Sequence, residues 1–224
     1  MRKIKILRAL AAVLLTAMLL SGCSLFETKF DAATYVKGTI DAQYSGIASK
    51  AYLDILSEGT AESVKAIYED RIVAEAEYFY ALYYLEQEHI PASFMTEVIE
   101  LYREIYAKAK YEVGAATKSG DNYLVSVTIH PIDIIQKLDE DFDDYLEEFF
   151  EDEDAIEDMS EEEFETLWAR GFIDIAKARL ATLGYLEPET ISVQVNVESK
   201  SKTEILYSIS DNDIERIDGL VIKY

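Results

Sequence analysis

The sequence of 224 residues contains few of the residues that carry covalent and metal chemistry. It has one cysteine and two histidines. A single cysteine forms no intrachain disulfide, so the fold depends on a hydrophobic core, which a chain of this length can bury. His89 and His130 belong to no zinc-binding pattern such as HExxH, and no cysteine accompanies them as a ligand. We therefore predict no metal ion and no cofactor, and we expect both histidines at the surface or at its rim.

Glycine and positive charge are also scarce. The nine glycines form no phosphate-binding loop, and no serine lies in the GxSxG context of a hydrolase nucleophile. The 21 lysines and arginines are outnumbered by 44 acidic residues. Because nucleic-acid binding requires a basic surface, this charge balance argues against nucleic-acid partners. It also argues against electrostatic attachment to anionic lipids.

The N-terminal segment has the three parts of a secretory signal. Four basic residues near the start precede twelve uncharged, mostly apolar residues from Ala9 to Leu20, and small residues follow. The apolar run is too short for a permanent transmembrane helix. We therefore expect residues 1–22 to be a signal peptide that is removed.

The signal ends in Leu20, Ser21 and Gly22, directly before Cys23, and these four residues resemble the lipobox of bacterial lipoproteins. In that family the chain is cleaved before the cysteine, and the thiol carries a diacylglycerol. The resemblance implies that Cys23 is lipidated, with acyl chains such as palmitate. It also implies anchoring of the protein to the extracellular face of the bacterial cell membrane. Residues 23–29 are then the lipidated cysteine and a short tether.

Hydrophobic periodicity divides the remainder of the chain into helices and hairpins. Helical spacing predicts helices from near Asp31, from about Thr60 to Glu88, from near Ser93 and over 132–184, with a capping box at Ser160. Alternating apolar residues predict hairpins over 111–129 and 191–209, with turns at 118–122 and 199–202. Residues 219–224 favour a last short strand.

This order predicts an α+β fold, with helices packed on one face of an antiparallel sheet built from two hairpins. The other face of the sheet is polar enough to be wet or to line a shallow groove. Residues 30–224 are expected to form a single domain, with two similar halves, 30–130 and 132–224, as the alternative. The absence of βαβ alternation argues against the two-lobed solute receptor of an ABC importer.

The segment 139–165 is strongly acidic, with 17 carboxylates in 27 residues. Asp139, Asp141 and Asp143 imitate the start of an EF-hand loop, but Asp144 and Phe150 replace its glycine and its glutamate. Interspersed aromatic residues have helical spacing. We therefore expect a solvated acidic face, and cation binding remains the alternative.

Four tyrosines, Tyr78, Tyr80, Tyr83 and Tyr84, lie close together in a segment that is almost entirely apolar or aromatic. Tyrosine has an apolar ring and a polar hydroxyl, so this group is a candidate ligand surface. The alternative is a core helix whose hydroxyl groups reach its edge.

Three further stretches, 30–44, 111–128 and 210–218, together with the lipobox, resemble surface lipoproteins of Gram-positive bacteria of the Firmicutes type. That family has no established activity to transfer, so the resemblance implies a location and no reaction. The sequence favours a non-catalytic module that binds a peptide, a glycan or a partner protein. The alternative is a carboxylate-based cell-surface hydrolase, which requires two buried acids facing one cleft, one of them with a raised pKa.

Overall fold

The structure, a computed structural model, describes residues 31–56, 59–151, 156–201 and 204–224. The signal peptide, Cys23 and the tether lie outside these residues, so the predictions about them stay predictions. Among the described residues, no helix is both long enough and apolar enough to cross a membrane.

The described part of the chain contains seven helices and four strands, which agrees with the predicted α+β class. They are α1 (Ala32–Tyr44), α2 (Lys50–Ile55), α3 (Ala61–Leu82), α4 (Ala92–Tyr106), β1 (Lys110–Ser119), β2 (Asn122–His130), α5 (Ile134–Phe149), α6 (Glu161–Leu180), β3 (Glu189–Ser201), β4 (Glu204–Ile209) and α7 (Asp211–Val221).

The four strands form one antiparallel sheet in the order β1-β2-β3-β4. The two hairpins join because β2 pairs with β3, with Val125 opposite Val193. Both of these valines are buried, whereas Ser126 and Ser192 on the opposite face are exposed. Helix α1 packs on the sheet. The predicted α+β class is therefore confirmed, with an apolar and a polar face of the sheet.

The described chain divides into two compact units. Unit 1 contains residues up to 71, 109–131 and 187–221, and therefore the whole sheet. Unit 2 contains residues 72–108, 132–186 and 222–224. Both hairpins belong to unit 1, so this division does not follow the halves 30–130 and 132–224. The single domain over residues 30–224 stays a prediction.

Local sequence signals account for several element ends. The Asp31 carboxylate accepts a hydrogen bond from the Ala33 N–H (3.1 Å) and caps α1. The Ser160 hydroxyl accepts from the Glu163 N–H, and the Glu163 carboxylate accepts from the Ser160 N–H, which completes the predicted capping box of α6. Gly120 turns the first hairpin with φ +62°, a conformation that glycine adopts without strain. In the second hairpin β3 extends to Ser201, so residues 199–201 of the predicted turn belong to the strand, and residues 202–203 lie outside the described residues.

The predicted strand over residues 219–224 is wrong, because residues 211–221 form helix α7 and Ile222 makes an isolated β-bridge with Ile132. The Ser210 hydroxyl accepts from the Asp213 N–H (3.2 Å) at the start of this helix. Ile214, Ile217 and Val221 recur at helical spacing and are buried. The cap and this buried stripe outweigh the local β preference of the aliphatic run at the C-terminus.

Helix α3 ends at Leu82, earlier than the predicted Glu88. Tyr84 adopts a left-handed conformation with φ 55°, and the Leu85 N–H donates to the Tyr80 carbonyl (2.9 Å). This arrangement closes the helix and turns the chain away from its axis. The residues that follow, up to Ile90, form a loop.

Candidate functional site

Unit 2 contains a cluster of aromatic rings between α5 and α6. The ring centroids of Phe142 and Phe172 are 4.2 Å apart, and the Phe172 ring stacks on Tyr83 at 4.9 Å. These three side chains are buried. Trp168 also contacts Phe172, and its indole N–H donates to the Tyr83 carbonyl (3.2 Å). The cluster forms the centre of the core in this unit.

At its outer edge the cluster opens into a groove of about 420 Å³, which we call the α5–α6 groove. Most of its lining is apolar, and Leu167 on its wall is 47% exposed. The groove is lined by Tyr145, Glu148, Phe149, Ile156, Met159, Leu167, Arg170 and Gly171. A concave apolar surface with a few polar groups is the usual form of a ligand site.

Gly171 permits the close approach that shapes one wall of the groove. A Cβ atom at this position would lie 2.1 Å from Cζ of Tyr145. The Tyr145 hydroxyl donates to the Leu167 carbonyl (3.1 Å), which fixes the ring against α6. Burial, aided by the negative charges of Asp174 and Glu148, raises the pKa of Tyr145 to about 12. Tyr145 therefore lines the groove as an uncharged side chain whose hydroxyl is already hydrogen-bonded to the Leu167 carbonyl.

The positive charge at the groove is compensated within unit 2. The Arg170 guanidinium donates two hydrogen bonds to the Glu97 carboxylate (2.9 and 3.0 Å) and one to Asp174 (3.3 Å). It also lies over the Phe94 ring, 3.9 Å from the centroid. Glu148 is the acid among the lining residues, and the other exposed acids of α5 belong to the same helix.

Glu97 connects α4 to α6 by accepting hydrogen bonds from both Arg170 and Lys177. These bonds lower the pKa of Glu97 from 4.5 to about 2. A carboxyl group whose folded pKa is depressed stabilises the fold above its unfolded pKa, and this contribution is lost as the pH falls through the folded pKa.

We expect Glu97→Gln to lower the free energy of unfolding by about 1–2 kcal/mol at pH 7, after allowance for solvent screening of a half-buried pair. The difference from the wild type should shrink between about pH 4.5 and pH 2, as the wild-type carboxylate becomes protonated. Urea unfolding at several pH values measures this difference. Glu147→Gln, at an exposed position of α5, is the control. A difference that stays constant down to pH 2 would contradict the assignment.

The four candidate tyrosines occupy different environments. Tyr80 and Tyr83 are buried at 4% and 8% exposure, whereas Tyr84 is 84% exposed in the loop. Tyr78 is half-buried and makes an edge-to-face contact with the Tyr224 ring at 4.8 Å. The structure therefore brings Tyr80 and Tyr83 into the interior of unit 2 and leaves Tyr84 at the surface. A ligand role for these residues stays a prediction.

The sequence analysis did not predict the α5–α6 groove, although two of its aromatic residues have a recognisable spacing. Tyr145 and Phe149 lie one helical turn apart in the acidic segment, where they indicate only an amphipathic helix. In the described part of that segment, residues 139–149 belong to α5, with Phe142 buried and most of the acids exposed, as a solvated acidic face requires. Asp141 pairs with Arg179, which lowers the pKa of Asp141.

The hydrolase alternative requires two buried acids at one cleft. Among the described residues, Asp213 is the buried acid, and its carboxylate accepts hydrogen bonds from the Arg216 guanidinium (2.8 Å) and the Gln194 N–H (3.1 Å). The Asp213 carboxylate therefore satisfies a backbone N–H group of β3. The pKa of Glu97 and that of Asp141 are shifted downward, opposite to the shift that a general acid needs. The hydrolase stays a prediction with no supporting observation.

The two histidines lie in different units. His130 is half-buried at the end of β2 in unit 1. His89 lies in unit 2, in the loop between α3 and α4, and its imidazole faces carboxylates from Glu86, Glu88 and Glu161. The sequence did not reveal this grouping, because Glu161 is distant along the chain.

The chain is similar in fold to the crystal structure of a "putative lipoprotein (ycdA)" from Bacillus subtilis, with a TM-score of 0.54 over 87% of this chain. The sequences are 12% identical, and the match covers 56% of the Bacillus protein, so the chain spans little more than half of that length. At this identity, the likeness shows the fold alone. No protein-family model and no curated protein matches the chain.

Proposed function

We propose that this protein is a lipid-anchored, extracytoplasmic module that binds a cationic, amphipathic peptide segment in the α5–α6 groove. The observation that carries the proposal is an apolar groove whose wall residue Leu167 remains 47% exposed beside an acidic helix. Exposed apolar surface that is rimmed by charge marks interaction sites. The proposal therefore puts the ligand surface on α5 and α6.

The chemistry of the groove favours a peptide over a glycan. Ile156, Met159 and Leu167 supply aliphatic surface, and the Tyr145 hydroxyl is already bonded to the main chain. A sugar would need several free hydrogen-bonding groups, whereas an apolar side chain needs only burial. Because the Arg170 charge is compensated by carboxylates, the remaining field of Glu148 and the α5 acids favours lysine or arginine beside the apolar residues.

The location rests on the N-terminal sequence. Residues 1–22 have the form of a signal peptide, and Cys23 follows a lipobox-like triplet. The fold likeness to a Bacillus protein described as a lipoprotein agrees with this location and with the resemblance to Firmicutes surface lipoproteins. An anchored module with an open groove would hold its peptide partner close to the membrane.

Binding can be measured with a short synthetic peptide of alternating lysine and leucine. Trp168 is the single tryptophan of the chain, and its ring centroid lies 5.4 Å from that of Phe149 on the groove wall, so its fluorescence should report occupation. We expect Leu167→Lys to weaken binding about tenfold or more, because it removes apolar contact and adds a repelling charge. Raised salt should also weaken binding.

The matched control is Ile47→Lys, the same change at a side chain that is 65% exposed in unit 1. This variant should bind as the wild type does. A peptide with glutamate in place of lysine and a neutral oligosaccharide complete the comparison. Equal binding by the two variants, or preference for either of these two ligands, would contradict the proposal.

A further inference from the structure

The loop after α3 brings unlike metal-ligating groups together in unit 2. Glu86, Glu88 and His89 each offer one ligand atom, and these atoms all lie within 4.8 Å of one another. The His89 N–H donates to the Glu86 carbonyl (3.0 Å), which holds the turn. Glu161, the first residue of α6, places a third carboxylate oxygen 3.8 Å from Nε2 of His89.

The three carboxylates form a group of long contacts around one imidazole nitrogen. Nε2 of His89 is 3.6 Å from the Glu88 carboxylate and 3.8 Å from that of Glu86. A charge-assisted hydrogen bond would bring one oxygen to about 2.7–2.9 Å. Here three carboxylates surround the nitrogen at nearly equal distances, and none forms that bond.

We propose that Glu86, Glu88, His89 and Glu161 bind a divalent transition-metal ion of the zinc type. Bond lengths of about 2.0–2.1 Å place tetrahedral donors about 3.4 Å apart, so the separations of 3.6 to 3.8 Å from Nε2 need to shrink by a few tenths of an ångström. The carboxylate oxygens, which are grouped within 4.8 Å of one another in the Glu86–Glu88–His89 set, have to move further, as exposed side chains can. One imidazole with carboxylates suits zinc and related ions, whereas calcium and magnesium prefer oxygen ligands alone.

The bound ion would fasten the loop after α3 to the start of α6. The same loop begins at Tyr83, whose carbonyl accepts the Trp168 indole N–H. The ion would therefore add a second connection between these two elements, independent of any ligand in the α5–α6 groove. A metal ion here would depart from our sequence-based expectation that the chain binds none.

The test uses the full chain purified from membranes in detergent, with ZnCl₂ alone in calorimetry and CoCl₂ alone in absorption spectroscopy. We expect one zinc ion per chain and the intense visible bands of four-coordinate cobalt. His89→Gln should weaken zinc binding about 100-fold and abolish the intense bands, because it removes the nitrogen ligand. Glu88→Gln should weaken it about tenfold or more.

Glu147→Gln is the matched control, since it removes one exposed carboxylate of α5 and leaves the four donors intact. It should bind zinc as the wild type does. Circular dichroism of the metal-free variants establishes that each is folded. The proposal is overturned if folded His89→Gln binds zinc as tightly as the wild type, or if equimolar magnesium displaces the ion.

Discussion

Replacing Gly38 by alanine destabilises the protein by about 3 kcal/mol in our expectation, since it overpacks a buried contact. A Cβ atom at Gly38 would lie 2.1 Å from Cγ and Cδ2 of Tyr52 and 2.6 Å from its Cβ. Tyr52 is 3% exposed and packs against the Tyr35 ring at 6.1 Å. Because the clash includes Cβ of Tyr52, rotation of the ring cannot relieve it. Helices α1 and α2 would have to separate.

The matched control for this prediction is Gly219→Ala in α7. No atom lies within 4 Å of a Cβ added at Gly219. Alanine has the higher helix propensity, so this variant should be more stable by about 0.5–1 kcal/mol. Urea unfolding followed by far-ultraviolet circular dichroism measures both changes. If the two substitutions change the free energy of unfolding equally, Gly38 and Tyr52 are not in the close contact that the prediction requires.

The sheet could be predicted from the sequence because its signals are local. Val125 and Val127 alternate with Ser126 and Thr128, and this period of two occurs where one face of a strand is buried. The capping box at Ser160 is likewise complete within four residues. Pairing of β2 with β3 could not be derived in the same way, because the two strands belong to hairpins that are far apart in the chain.

The C-terminal helix shows where local preference misleads. The aliphatic residues after Gly219 favour a strand on propensity alone. Their structure is set instead by the spacing of Ile214, Ile217 and Val221, which a helix buries on one side. Gly219 is tolerated within this helix because no other group occupies the space around it.

The candidate sites depend on contacts between residues that are distant in sequence, so their components are visible in the sequence but their grouping is not. The spacing of Tyr145 and Phe149 predicts a helix, but the groove exists because Gly171 of another helix admits the Tyr145 ring. In the same way, His89 gains a third carboxylate only when the first turn of α6 approaches the loop after α3.

The largest functional effect is expected at Cys23, which lies outside the described residues. Removal of residues 1–22 leaves 17 basic and 44 acidic residues, a formal net charge of −27. Anionic lipid repels a protein of this charge, so we expect attachment to the membrane to come from acyl chains. One chain binds a membrane marginally, whereas the two chains of a diacylglycerol suffice for stable anchoring. We therefore expect loss of the thiol to remove the attachment almost completely.

Metabolic labelling with a fatty-acid probe should tag the wild type and leave Cys23→Ala untagged. Ser24→Ala, next to the cysteine, is the control and should be tagged as the wild type is. Membrane fractionation should place the wild type and Ser24→Ala with the membrane, because two buried acyl chains hold them there. A wild-type protein without label, or a Cys23→Ala variant that keeps it, would show that the thiol is not the lipid attachment site.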